Sequence, residues 1–369
     1  MTFLCSHPRI RIKWLYAGIL FILPLVACQG DEITRFEDSP AIDLMLDSAP
    51  HFVASTDIEP ERWIATTRLG IPNDSLFLGS PGRMLAIDGS IYISESMIPE
   101  IVVVEVDGHI SRKFGGRGQA PGEFDREVSG MEYRDSHVFV RALPRMQVFT
   151  KTFEYVDMFF APDYLMKRFA VSTDYIFLQC PGSPENSIWL ICARSTLPPY
   201  DWIPGTELLP KLDFPNQTGE NSNMVTVNHD GDRVAVAYGA LPYIFVYDSQ
   251  FRHLQTIRFE GKEVREFEPS GFPGNIEIPG GPEAFTRIFI STIKYLDSRF
   301  LIARTATGNY IFDLSEDDYR IAKKIVFRPV SDIEERRDIH AKDFLLHEGY
   351  LYVSSTHEEY VYGYPFELN

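Results

Sequence analysis

Basic charge is scarce in this sequence. Across 369 residues, 35 Lys and Arg stand against 52 Asp and Glu, a formal net charge of −17. Nucleic acid is thereby excluded as a partner, because binding phosphate needs a basic surface. Cysteine is also sparse, at four residues, with no CxxC and no Cys/His zinc spacing. GxSxG, HExxH and P-loop patterns are missing. After residue 60 no stretch holds helical periodicity over 12 residues, which removes the helical classes. The apolar content, 44%, is too high for a disordered chain, and the 25 Gly and 25 Pro are too evenly spread for a fibrous one. The length fits two domains of ~150 residues or one large β-domain.

The first 28 residues have the form of an export signal. Arg9, Arg11 and Lys13 make a basic start, followed by an apolar stretch of 12 residues from Trp14 to Leu25. A bilayer-spanning helix needs ~20 residues, so this stretch is too short to serve as an anchor. Leu25-Val26-Ala27-Cys28 closes it and resembles the bacterial lipobox, in which the Cys becomes the diacylated N-terminus. On this resemblance residues 1–27 are a lipoprotein signal peptide and Cys28 is the lipid attachment site. An ordinary secretory signal with an incidental Cys is the alternative. The cleaved chain would be more acidic still, so contact with an anionic membrane would depend on the acyl chains. Gln29 follows the Cys in place of an inner-membrane retention Asp, which implies the outer membrane, facing either the periplasm or the exterior.

From Gln29 to Glu59 there are eight acidic residues and one basic, Arg35. Like charges repel and little apolar area is on offer, so residues 28–59 are expected to form an acidic tether. The alternative is a short helix through Ile42 and Met45 that docks on the body. Cys5 leaves with the signal, while Cys180 and Cys192 remain in an oxidising compartment. Facing strands of a hairpin bring two such residues into bonding range, but a one-residue slip in register points one of them away. A bridge and two buried thiols both fit.

Residues 60–369 repeat one phrase six times: an apolar run, a tight turn, then a stronger apolar run. It occurs at 84–95, 131–141, 169–179, 224–238, 288–304 and 343–355. Third and fourth runs follow in most units. Four short antiparallel strands at this period make one blade of a β-propeller, and a single such sheet cannot bury its faces alone. The sixth unit has only three runs, and the fourth is available at about 61–69. The expected fold is therefore an all-β, six-bladed β-propeller, closed by an N-terminal strand pairing with the last blade. A two-sheet sandwich is the alternative.

Ile91 to Gly108 is similar to an NHL repeat: aliphatic-Tyr-aliphatic core, an acid at Glu95, and an Asp107-Gly108 turn. Lys113-Phe-Gly-Gly-Arg-Gly-Gln-Ala-Pro-Gly-Glu-Phe124 resembles the linker between blades of bacterial six-bladed propeller lipoproteins. The strong similarity covers about 75 residues. It implies a six-bladed ring and no single activity, since NHL-type propellers include protein binders, nucleic-acid binders and lyases.

Function on such a ring gathers at the channel mouth, where loops between strands two and three meet the inter-blade segments. Second-strand ends supply Glu95, Arg141, Tyr238, Arg304 and Ser355. Inter-blade segments supply Arg83, Arg126, Arg168, Asn223, Arg287 and His340. An arginine-rich mouth on an acidic chain suits an anionic ligand. Alternatively, the arginines pair with Glu95, Asp125 and Glu127 and stitch blades together. Catalysis would need a metal or acid–base set, for which only His340 and Glu95, with His357 and Glu358 in reserve, are at hand. No metal site, cofactor or catalytic residue is assigned. The expectation is a non-catalytic binder of a protein or small anionic ligand, held to the membrane by its N-terminal lipid. A propeller-type metal-dependent lyase or hydrolase and a structural module of an envelope complex are the alternatives.

Overall fold

A computed structural model describes residues 40–72, 76–105, 107–161, 169–180, 190–201, 203, 223–267, 275–277, 284–286, 288–315, 319–329, 338–355 and 357–368. It begins with α1 (Pro40–Asp47), β1 (His51–Ser55), β2 (Glu61–Ile64) and β3 (Thr67–Leu69). Blade one follows as β4 (Pro81–Ile87), β5 (Ser90–Glu95), β6 (Glu100–Val104) and β7 (Ile110–Gly115). Blade two is β8 (Gly130–Arg134), β9 (His137–Ala142), β10 (Arg145–Thr150) and β11 (Tyr155–Phe160). Blade three contributes β12 (Ala170–Val171), β13 (Tyr175–Cys180) and β14 (Leu190–Ser195). Blade four is β15 (Asn223–Val227), β16 (Arg233–Tyr238), β17 (Tyr243–Asp248) and β18 (His253–Glu260). Next come α2 (Lys262–Phe267) and a separate hairpin, β19 (Asn275–Glu277) with β20 (Ala284–Thr286). Blade five is β21 (Ile290–Tyr295), β22 (Phe300–Thr305), β23 (Asn309–Asp313) and β24 (Arg320–Arg328). Blade six is β25 (Ala341–His347), β26 (Tyr350–Ser355) and β27 (Val361–Pro365), completed by β3.

The chain is thus a six-bladed β-propeller. Within each blade, local chemistry sets the first hairpin. Asp88-Gly89, Asp135-Ser136 and Glu348-Gly349 all have positive φ at both residues, the backbone that two-residue turns need to match strand twist. The middle strands are apolar along their length because neighbouring blades cover both faces. Val138, Val140, Val234, Val236, Ile302 and Val353 are fully buried. The innermost strands pack on one another in sequence, and β25 packs on β4, so the ring is closed.

Closure divides the stretch expected to pair with the last blade. Thr67–Leu69 pairs antiparallel with β27, with Leu69 opposite Val361. Glu61–Ile64 runs parallel to β24 as a fifth strand of blade five. There Trp63 packs edge-on against Phe327 and Phe366, with centroids 6.2 Å apart in each case.

The acidic stretch before this is not an extended tether once it reaches Pro40. Helix α1 buries Ile42 and Met45 in the core shared with blades four and five. Strand β1 runs parallel to β18, with Ala54 buried opposite Phe259. Beyond β3, the amides of Gly70 and Ile71 donate to Gly108 of blade one at 3.1 and 3.0 Å. Residues 51–71 therefore form a belt across blades four, five, six and one. Its acids face outward, as do Val53, Ile58 and Ile64, while Ala54, Ala65 and Leu69 are buried and its strands pair with the ring. Residues 28–39 of the expected tether lie outside the described residues.

Candidate functional site

Inner-strand starts, second-strand ends and inter-blade segments share one end of the ring, because Pro81 pairs with Glu95, Gly130 with Arg141, Asn223 with Tyr238 and Ala341 with Ser355. The sequence-derived candidates converge here, but most of them face inward. Glu95 is buried, and its carboxylate accepts the amides of Gly79 and Ser80 at 3.0 and 2.7 Å. It shapes the loop entering blade one, its two oxygens taken up by backbone amides where pairing with arginine was expected. Arg141 is buried, and its carbonyl accepts the Ser129 amide at 2.8 Å. Tyr238, Asn223 and Ser355 are buried as well.

Arg83 and Arg304 join blades. Arg83 donates Nε to Ser129 O of the segment entering blade two at 3.3 Å and Nη1 to Lys342 O of blade six at 3.1 Å. Arg304 of blade five donates to the Ala341 carbonyl and lies 3.0 Å from His340 Nδ1. Burial pulls its guanidinium below the usual range. Asp125 pairs instead with Arg145, at 2.7 Å. The same guanidinium donates to Gln119 O and Gly118 O at 2.8 Å each, which pins the glycine-rich linker down as an inter-blade turn. Of the residues expected at the mouth, Arg126, Glu127, His340 and His357 are exposed at this end and Glu358 is half-buried. Arg168, Arg287 and Cys28 lie outside the described residues.

The channel holds charges that sequence inspection missed. A narrow cavity is lined from every blade, including Arg83, Glu132, Phe169, Thr226, Lys294 and Asp343. Asp343 Oδ2 accepts Lys294 Nζ at 3.1 Å and the Met84 amide at 2.9 Å, and Oδ1 lies 3.5 Å from Arg83 Nη1. The Glu132 carboxyl has no hydrogen bond among the described residues. Burial pushes its carboxyl up to about 7, with Lys294 pulling it down and Asp343 pushing it up. The available signal was a charged residue inside the first apolar run of a repeat: Glu132, Lys294 and Asp343 each occupy that position. Among the described residues no three His, Cys, Asp or Glu gather where a metal would bind.

This end also exposes apolar side chains. Met97 is 80% and Ile98 37% exposed in the loop after β5, and Ile288 is 50% exposed just before β21. Phe77, on the segment into blade one, and Phe160, opposite Arg145, are exposed too. Cys192 is disulfide-bonded. On the β13–β14 hairpin it pairs with Leu178 while Cys180 pairs with Leu190, so the two cysteines occupy diagonal positions on one face. No helix among the described residues is long and apolar enough to cross a membrane.

No family model matches the chain, and no curated protein matches it by sequence. Among solved structures, it is similar to a protein of Bacteroides fragilis NCTC 9343 described only as exported. The TM-score is 0.51 and the identity 13%, over 82% of this chain and 87% of that one. It is also similar to the β-propeller domain of Cps50 (Swd1) from Myceliophteria thermophila, with TM-score 0.45 and 8% identity over 82% of this chain and 100% of that one. At such identities the likeness is one of fold.

Proposed function

We propose that the chain is a non-catalytic binding propeller of the bacterial cell envelope. In this proposal it is anchored in the outer membrane through lipid on Cys28 and holds a protein partner at its channel mouth. The observation that carries the binding reading is that Met97, Ile98 and Ile288 are exposed on the same loop end of the ring as Arg126 and His340. Exposed apolar side chains rimmed by polar ones suit a protein surface. The channel supports a small anionic ligand less well, because Arg83 and Lys294 are spent on Asp343 and on carbonyl oxygens. The lipobox supports the anchor, and the NHL-like segment of blade one agrees with a binding role.

The test is photo-crosslinking in cells, with the cross-linker placed at Met97 or, as control, at Asp135 in the hairpin of the opposite end. A discrete adduct from Met97 alone is expected, and equal products from both positions would refute the mouth as the interface. Labelling with radioactive palmitate should mark the wild-type chain and not Cys28→Ala.

A further inference from the structure

Blade five carries a second cavity at the end opposite the mouth, where the β21–β22 turn meets the start of β24. It is partly open to solvent and is lined by Arg299, Phe300, Asp313, Arg320, Lys323 and Leu368, with Ile321 and Ala322. One wall is cationic. The buried Asp313 carboxylate accepts Arg299 Nε at 2.6 Å and Nη2 at 2.5 Å, and Arg320 Nε and Nη2 at 3.1 and 3.0 Å. These bonds hold its carboxyl down at about 2, so it stays ionised. Two permanent positive charges therefore share the Asp313 carboxylate, with Asp297 a second acid near Arg299. Lys323 is balanced by Glu61, whose carboxylate oxygens lie 2.9 and 3.2 Å from Nζ.

The two guanidiniums are clamped but not used up. Each spends Nε and Nη2 on Asp313, and neither Nη1 has a hydrogen-bond partner among the described residues. Both side chains are about half exposed, at 51% and 54%. Two fixed forks with donors to spare make a receptor for a planar or tetrahedral oxyanion. Phe300, Ile321, Ala322 and Leu368 add apolar lining, with the Arg299 guanidinium over the Phe300 ring, 4.9 Å from Cζ to the centroid. A chain of net charge −17 thus sets two fixed arginines beside apolar side chains.

We propose that this cavity binds a compact oxyanion, carboxylate or phosphate, carried on an apolar body. The anion bridges Arg299 and Arg320, and the apolar part lies along Phe300 and Leu368. The site is separate from the mouth and stands whether or not the mouth binds a partner.

Calorimetric titration of the purified chain with octanoate, octyl phosphate and inorganic phosphate tests this. Saturable binding of either octyl compound is expected, with inorganic phosphate at least about tenfold weaker and with affinity falling as salt rises. If inorganic phosphate binds as tightly as the octyl compounds, the apolar half of the proposal is wrong. Arg320→Lys keeps Asp313 paired but loses the fork, and should weaken octyl phosphate binding about tenfold. Leu368→Asp should weaken the octyl compounds more than phosphate. Absence of saturable binding, or wild-type affinity in both folded variants, would overturn the site.

Discussion

Arg83 of blade one lies 3.5 Å from Asp343 of blade six, across the joint where the ends of the ring meet. The same carboxylate holds Lys294 of blade five and the Met84 amide. One buried acid therefore binds three blades at the axis. Asp343→Ala leaves two cations facing each other without their counter-charge, a loss of about 3–5 kcal/mol for a broken buried pair. Asp343→Asn should cost less, since it still accepts hydrogen bonds. Urea unfolding of the two variants checks the order, and equal stabilities would show that the joint does not depend on this charge.

Glu132 sets a pH dependence. Its carboxyl rises from 4.5 to about 7 on folding because the channel desolvates it, with Lys294, Arg134 and Arg83 on the cationic side and Asp343 on the anionic side. The folded state holds the proton more tightly, so there is no cost below pH 4.5. The cost grows as pH climbs toward 7 and is constant above, reaching about 3 kcal/mol at most. Glu132→Gln should stabilise the protein at pH 8 and make little difference at pH 4.5. A stability gain independent of pH would contradict this.

The belt depends on a small apolar contact. Ile42→Asp places a charge where α1 enters the core of blades four and five, so α1 and β1 should detach while the blades stay paired. Limited chymotryptic digestion should then cut after Phe52, which is half-buried in the wild type, with little change in the β circular dichroism signal. Cooperative loss of the whole fold would instead make the belt part of one folding unit.

Closure has its own weak point. A Cβ on Gly363 would lie 2.5 Å from Thr67 Cγ2 and 2.9 Å from Tyr352 Cε1. Gly363→Val should force β3 off β27 and cost about 1–3 kcal/mol, readable as a fall in thermal midpoint. An unchanged midpoint would mean that the seam yields without penalty.

Cys180 is the proposed partner of Cys192. Peptide mapping under non-reducing conditions should recover one cross-linked pair spanning residues 175–195. Recovery of Cys180 as a free thiol would assign the bond elsewhere.

Turn chemistry and period-two alternation made the six hairpins legible, because Asp88-Gly89 or Glu348-Gly349 dictates its turn from within a few residues. The count of blades and the need for a closing strand followed from the same repeats. The belt before β3 was illegible: β1 has five residues and β2 four, and their parallel partners lie some two hundred residues away or more. An acidic stretch with few apolar side chains reads as tether until an exposed strand edge is there to receive its backbone.

Charged residues divide the same way. Their position along a repeat placed Arg83 and Arg304 at the loop end of the ring. Whether they would face solvent or a neighbouring blade depended on carbonyls at Lys342 and Ala341, supplied by another repeat. Local sequence therefore determined strands, turns and blade number, since these arise from contacts between near neighbours. Only the assembled ring decided which charges were spent on closure and which side chains remained at the surface, because those energies belong to pairs that the chain brings together last.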